Sequence, residues 1–231
     1  SKTLNAYNLE LTAGGTAVGN TVVCWLSSGS GLDISGVANL YITNATALGR
    51  RFIDPGATML TFKNIWLFGD NGDYCGIQTN DLTCDNLFVN IKTSDTNFYI
   101  GGGAATTVVN NMLDFMESTC DWNAGGSGQD INIFGDVRLN YTMTFTTCNA
   151  LHFVRTSSSG YSSFFTANNA DTFNNTISCD AGASATVKMI GNLVTSVSSI
   201  GDYQINSGTF IFDSYTYTPA DLNVNGGTMV V

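Results

Sequence analysis

Charge is what this chain has least of. Only 11% of its 231 residues are charged, Glu occurs only at Glu10 and Glu117, and Lys and Arg together number 8. With strong helix formers so scarce, the composition argues against a helical fold. The net charge is −10, and cations such as Arg50, Arg51, Arg138 and Arg155 form no stripe able to track phosphates. Nucleic acid is therefore excluded as a partner. No stretch approaches the roughly 18–20 apolar residues of a membrane span, so no membrane insertion is expected. His152 is the only histidine and no CxxC pair exists, which excludes a zinc site. No other metal or cofactor is expected.

What the chain does have is β-branched and aromatic residues interleaved with Gly, Asn, Ser and Thr. Aromatics make up 11% of it and prolines number 2. That is enough apolar area to build a core, and the class it predicts is all-β. The six cysteines are Cys24, Cys75, Cys84, Cys120, Cys148 and Cys179. Several fall within alternating apolar runs, so we read them as reduced, buried small hydrophobes rather than as a disulfide framework.

A phrase recurs along the chain: two alternating inward residues, a corner Asn or Asp, then inward residues one and three places later. Leu60, Phe62, Asn64, Ile65 and Leu67 carry it, as do Leu82, Cys84, Asn86, Leu87 and Val89. The corners fall at Asn8, Asn39, Asn64, Asn86, Asn111 and Asp136, with steps of 31, 25, 22, 25 and 25. Side-chain amides in such a corner ladder would bond from coil to coil. Phe134 is expected inward before Asp136. Past Asn140 the register blurs, with looser copies at Phe165 and Asn169, Ile190 and Asn192, and Phe210 and Ser214. A loop insertion is expected within 140–166, where Ser157 to Ser163 reads as exposed. A near-constant step of this size predicts a solenoid in which each coil is three short strands and their turns. We expect a single domain over 1–231 of about nine coils, each about 22–25 residues long. A β-sandwich would not explain the spacing of the corners.

The coil length, Asn corners and apolar strand faces resemble the right-handed parallel β-helix of pectate-lyase-like proteins and bacteriophage tailspikes. The resemblance is architectural and covers most of the chain. It implies right-handed winding and a homotrimer. The chain opens on a coil at Leu4 to Leu11 and closes on Met229–Val231 without an amphipathic cap. Either other chains cover these ends or the sequence continues in a longer protein.

Several groups are candidates for chemistry. Glycan hydrolysis needs two carboxylates, and Asp114 and Asp70 are the ones to consider. Asp114 stands where an apolar residue is expected, but a local shift that puts Leu113 and Phe115 inside and leaves Asp114 wet accounts for it better. A tight Asn-Gly turn explains Asp70 to Asp73 without calcium. A surface loop explains Gly125 to Asp130, a single copy of a calcium nonapeptide that works only in tandem. A nucleophile–histidine device would need His152, which reads as a satisfied histidine on a strand. Asn44, Asn140 and Asn174 open glycosylation sequons that a chain this rich in Asn and Thr produces by chance.

Two residues past their corners, Tyr41, Trp66 and Phe88 take one outward place, continued by Leu113 and Arg138. An apolar strip on a solvated face marks either a subunit interface or a ligand groove. The expectation is a non-enzymatic structural component of a virion surface or tail that binds a host-surface glycan and joins copies of itself or other virion proteins. An Asp-based polysaccharide depolymerase is the alternative. A secreted or cell-surface adhesin or filament subunit is a further one.

Overall fold

The computed structural model describes residues 2–13, 21–25, 32–34, 36–44, 50–54, 59–69, 74–79, 81–91, 97–100, 106–116, 121–122, 130–139, 144–145, 150–166, 172–173, 176–191, 193–195, 202–213, 217–218 and 221–231. Among them there is no helix, and every strand pairing is parallel. The chain is an all-β parallel solenoid.

Strands that carry the recurring phrase stack in sequence: Asn8–Ala13, Asn39–Asn44, Leu60–Gly69, Leu82–Ile91 and Thr107–Phe115. In the last three the backbone runs through the corner unbroken, fusing two faces of the solenoid into one 15-stranded sheet. Beyond Thr107–Phe115 that sheet forks. One branch continues as Asp130–Ile133 and Ala150–Phe153, the other as Asp136–Leu139 and Ser162–Thr166. A nine-stranded sheet from Thr21–Trp25 to Tyr217–Thr218 forms the remaining face. A two-stranded pairing joins Lys2–Thr3 to Leu32–Asp33.

Alternation decides what lies inside. In a strand, successive side chains point to opposite faces, so Leu60, Phe62, Ile65 and Leu67 enter the core, all at most 6% exposed. Parallel pairing places each beneath its counterpart one coil on: Leu82, Cys84, Leu87 and Val89. The lanes continue through Val109, Leu113 and Phe115 to Ile133, Val137 and Leu139. Cys84 takes the place of Phe62, and Cys84 and Cys179 are both free thiols buried in the core. Burial, then the charge of Asp85, pushes the Cys84 thiol up to about 12, so it packs as an inert small hydrophobe. Cys120 and Cys148, and the side chains of Cys24 and Cys75, lie outside the described residues.

The corner Asn residues form a hydrogen-bonded ladder. Asn39 Nδ2 donates to Asn8 Oδ1 (2.8 Å), Asn64 Nδ2 to Asn39 Oδ1 (2.8 Å) and Asn86 Nδ2 to Asn64 Oδ1 (2.7 Å). The solenoid comprises about four turns, and this amide-linked stack is its regular part.

The expectation of about nine coils of uniform length is not supported. Rungs joined by these and other corner contacts are separated by 31, 25, 22, 27, 26 and as few as 19 residues, rather than by 22–25. The expected ladder also breaks at Asn111. Thr107–Phe115 carries one more residue at its corner than Leu82–Ile91, and the register shifts between Val109 and Met112. Met112, not Asn111, therefore sits over Asn86, with Asp136 beyond it. The next corner repeats the two-residue form through Phe134 and Gly135. Phe134 is consequently 37% exposed rather than inward, and Ile133 fills the core. Gly135 is required there, because a Cβ would collide with the Asn111 carbonyl oxygen.

The later copies slip by one residue as well. Phe164 and Met189 are buried, so Phe165 and Ile190, expected inside, face outward. Phe210 and Phe212 are core residues as expected, while Asn169, Asn192 and Ser214 lie outside the described residues.

Asn64 bonds to Asn39 on one side and Asn86 on the other. Asn64→Ala should lower unfolding stability by about 2 kcal/mol, two side-chain hydrogen bonds, whereas Asn8→Ala at the ladder's exposed foot should cost at most about 1 kcal/mol. Urea unfolding of the two variants checks the order.

Candidate functional site

The same register that stacks the core also aligns the outward side chains. Glu10, Tyr41, Trp66 and Phe88 are successive partners, followed by Asp114, Arg138, Phe165 and Ile190. One surface lane thus runs from Glu10 to Ile190. Tyr41 and Trp66 lie parallel, with centroids 4.5 Å apart and an interplanar angle of 1°. Trp66 and Phe88 follow at 5.3 Å and 19°. These separations approximate the strand spacing of about 4.8 Å, so the stack is a direct consequence of parallel pairing. Ring faces within the stack cover one another, and what meets solvent is largely a strip of ring edges.

Asp114, not Leu113, continues this lane. The extra corner residue turns Leu113 and Phe115 inward, both 0% exposed, and leaves Asp114 half-buried on the surface. It is therefore not a carboxylate trapped in the core. Asp70, the other candidate acid, lies outside the described residues, as do the Asn71–Asp73 turn and residues 125–129.

Further along the lane, Arg138, Ser163, Phe165 and Ile190 line an open cleft of about 330 Å³. Asp136 Oδ1 accepts the Ser163 backbone N–H at 2.7 Å and fixes the strand that forms its wall. The sequence shows Ser163 only as part of an exposed serine loop. Counting outward positions from the corrected corner would have placed Arg138, Phe165 and Ile190 together.

A second cluster gathers around His152 on the adjacent face. His152 and Ser178 are partners on neighbouring strands. His152 Nδ1 lies 2.5 Å from Ser178 Oγ and 3.0 Å from Asp180 Oδ2, and Ser178 Oγ also donates to Asp180 Oδ2. The Ser178 hydrogen is thereby committed, so Nδ1 is the protonated nitrogen. His152 Nε2 is 3.6 Å from Asp130 Oδ1, an ion pair whenever the ring is charged. Asn206 Nδ2 donates to the other Asp180 oxygen at 2.7 Å, and Asn225 Nδ2 to Asn206 Oδ1 at 2.8 Å.

These are the residue types of a hydrolytic triad without its geometry. Ser178 is 1% exposed, and serine and carboxylate meet the same ring nitrogen, so the hydroxyl has neither a free base nor access to a substrate. His152 is a satisfied strand histidine in an inter-coil network. Its partners were not visible in the sequence because Ser178 stands 26 residues away and Asp180 28. Only the register joins them. Among the described residues no group of three His, Cys, Asp or Glu side chains could hold a metal ion, and no helix is long and apolar enough to cross a membrane.

Comparison with protein-family models, with curated proteins and with solved structures finds no match to this chain. Its function must be argued from the lane and the network themselves.

Burial alone would raise the Asp180 carboxyl, but hydrogen bonds from Ser178, Asn206 and His152, with the His152 charge, outweigh it and hold the group below its ordinary value. Its contribution to stability is then present above the ordinary carboxylate range, about pH 4, and is lost as pH falls through the lowered value, where the unfolded chain takes up the proton first. Asp180→Asn should be less stable than wild type at neutral pH and lose less stability between about pH 4 and pH 2. Denaturant midpoints across that range test it.

Proposed function

We propose that this chain is a non-enzymatic structural protein of an extracellular particle, in the manner of a bacteriophage tail or virion-surface component. In this reading the solenoid winds right-handed, associates with copies of itself as a trimer, and presents a glycan-binding surface to a host cell. The observation that carries it is the in-register strip Tyr41–Trp66–Phe88, an apolar band on an outer face where a solvated solenoid would be polar. Sugar stacking needs open ring faces, and these rings have closed theirs on one another. The strip therefore suits side-by-side contact between subunits. The glycan-binding part of the reading falls to the upper lane, where Phe165 is flanked by Arg138 and Ile190 instead of by rings.

A depolymerase reading keeps one support, the half-buried Asp114 beside Arg138 in the lane. Incubation with polysaccharide separates the two. A depolymerase releases reducing ends in an Asp114-dependent way, while a binder retains the polymer unchanged.

Sedimentation of the 24.5 kDa chain at micromolar concentration should give the mass of three copies. Trp66→Ser should shift it toward one copy while unfolding remains cooperative. A wild-type chain that sediments as one copy overturns the interface.

A further inference from the structure

The cleft along the upper lane differs from the aromatic strip in one respect: it contains a charge that no described residue pairs with. The Arg138 guanidinium is exposed and makes no hydrogen bond or ion pair among the described residues. The other cation close by is committed, since Lys188 Nζ lies 3.1 Å from Asp213 Oδ2. Asp114, one coil before Arg138, has a partner of its own. In a chain with net charge −10, an unspent arginine in a concavity is an exception to the surrounding field.

The walls narrow what it would take. Phe165 is the register partner of Arg138 on one side and of Ile190 on the other, so it projects between a cation and an aliphatic group and is not covered by a second ring. Ser163, two residues before it, lines the same cleft, and its hydroxyl has no hydrogen-bond partner among the described residues. A planar guanidinium holds a carboxylate through two parallel N–H donors. An aromatic face beside an aliphatic wall accepts the C–H face of a pyranose, and a hydroxyl orients its ring substituents. One arginine balances a single negative charge. Among the described residues a doubly charged phosphate would find no second cation in the lining, and the field of the whole chain opposes polyanions.

We propose that the Arg138–Ser163–Phe165–Ile190 cleft binds a hexuronic acid unit of a surface polysaccharide, with its carboxylate on Arg138 and its C–H face on Phe165. This rests on the glycan-binding part of the function proposed above and names the sugar class that the surface selects.

Saturation-transfer NMR on the full chain tests it with methyl glucuronide and methyl glucoside as observed ligands and inorganic phosphate as a competitor of the glucuronide signal, at about 0.15 M salt. The glucuronide should bind saturably and at least about tenfold more tightly than the glucoside, the discrimination expected of one charge-assisted bidentate contact. Arg138→Gln should abolish that preference, and Phe165→Ala should weaken both sugars. Unfolding midpoints of both variants establish that they remain folded.

Equal binding of the two sugars, or a preference that survives Arg138→Gln, overturns the inference and leaves glycan binding standing. Binding of neither sugar overturns both. Arg138-dependent phosphate binding as tight as that of the glucuronide shows a general anion site and overturns the assignment to a sugar.

Discussion

Parallel, in-register pairing is the constraint on which everything else in this structure depends. Once a coil pairs with the one before it, every side chain is held about 4.8 Å from the residue at the same lateral position. What the sequence repeats at that spacing, the fold stacks. Asn64 meets Asn39 and Asn86 because the three share a position, and each amide can then act as donor to one neighbour and acceptor to the other. Trp66 meets Tyr41 and Phe88 for the same reason, and Cys84 replaces Phe62 in the core. Polar, aromatic and aliphatic columns are three outcomes of one geometric rule.

The rule also explains which parts of the molecule could be read from the chain alone. Where the corner holds a single residue, offsets from Asn8, Asn39, Asn64 and Asn86 translate directly into inward and outward positions. The ladder and the aromatic strip were legible there. At Asn111 the translation fails, because one additional residue moves every later offset by one. In a strand a shift of one exchanges the two faces. Leu113 and Asp114 trade places for that reason, and the lanes beyond follow: Ile133 lies inside in place of Phe134, and Phe164 in place of Phe165. The two adjacent Asn residues at 110 and 111 fit either corner, so the mark of the insertion was Asp114 at an expected apolar place, and the local shift read from it, with Leu113 and Phe115 inside, is the one observed.

The network around His152 was hidden for a different reason. Its members belong to successive coils from Asp130 to Asn225, and no short motif links Asp130, His152 and Ser178. Their meeting follows from pairings between Asp130–Ile133, Ala150–Phe153 and Thr176–Asp180 that lie beyond the displaced corner. The consequence for function is corrective. Asp130, His152, Ser178 and Asp180, whose residue types suggest hydrolysis in a list, are spent on contacts between adjacent coils.

The added residue at Asn110–Asn111 has a further consequence. A solenoid with near-identical rungs has an ambiguity built into it, because a growing edge can accept the wrong coil with little loss of contact. Asn39, Asn64 and Asn86 present such interchangeable rungs. The widened corner has two unlike edges: on one side it meets the single-residue corner of Leu82–Ile91 through a register shift, and on the other the equally wide corner where Gly135 lies against the Asn111 carbonyl. A coil displaced by one rung at this point would leave a corner residue unmatched, so the unlike edges distinguish this rung from the interchangeable ones before it.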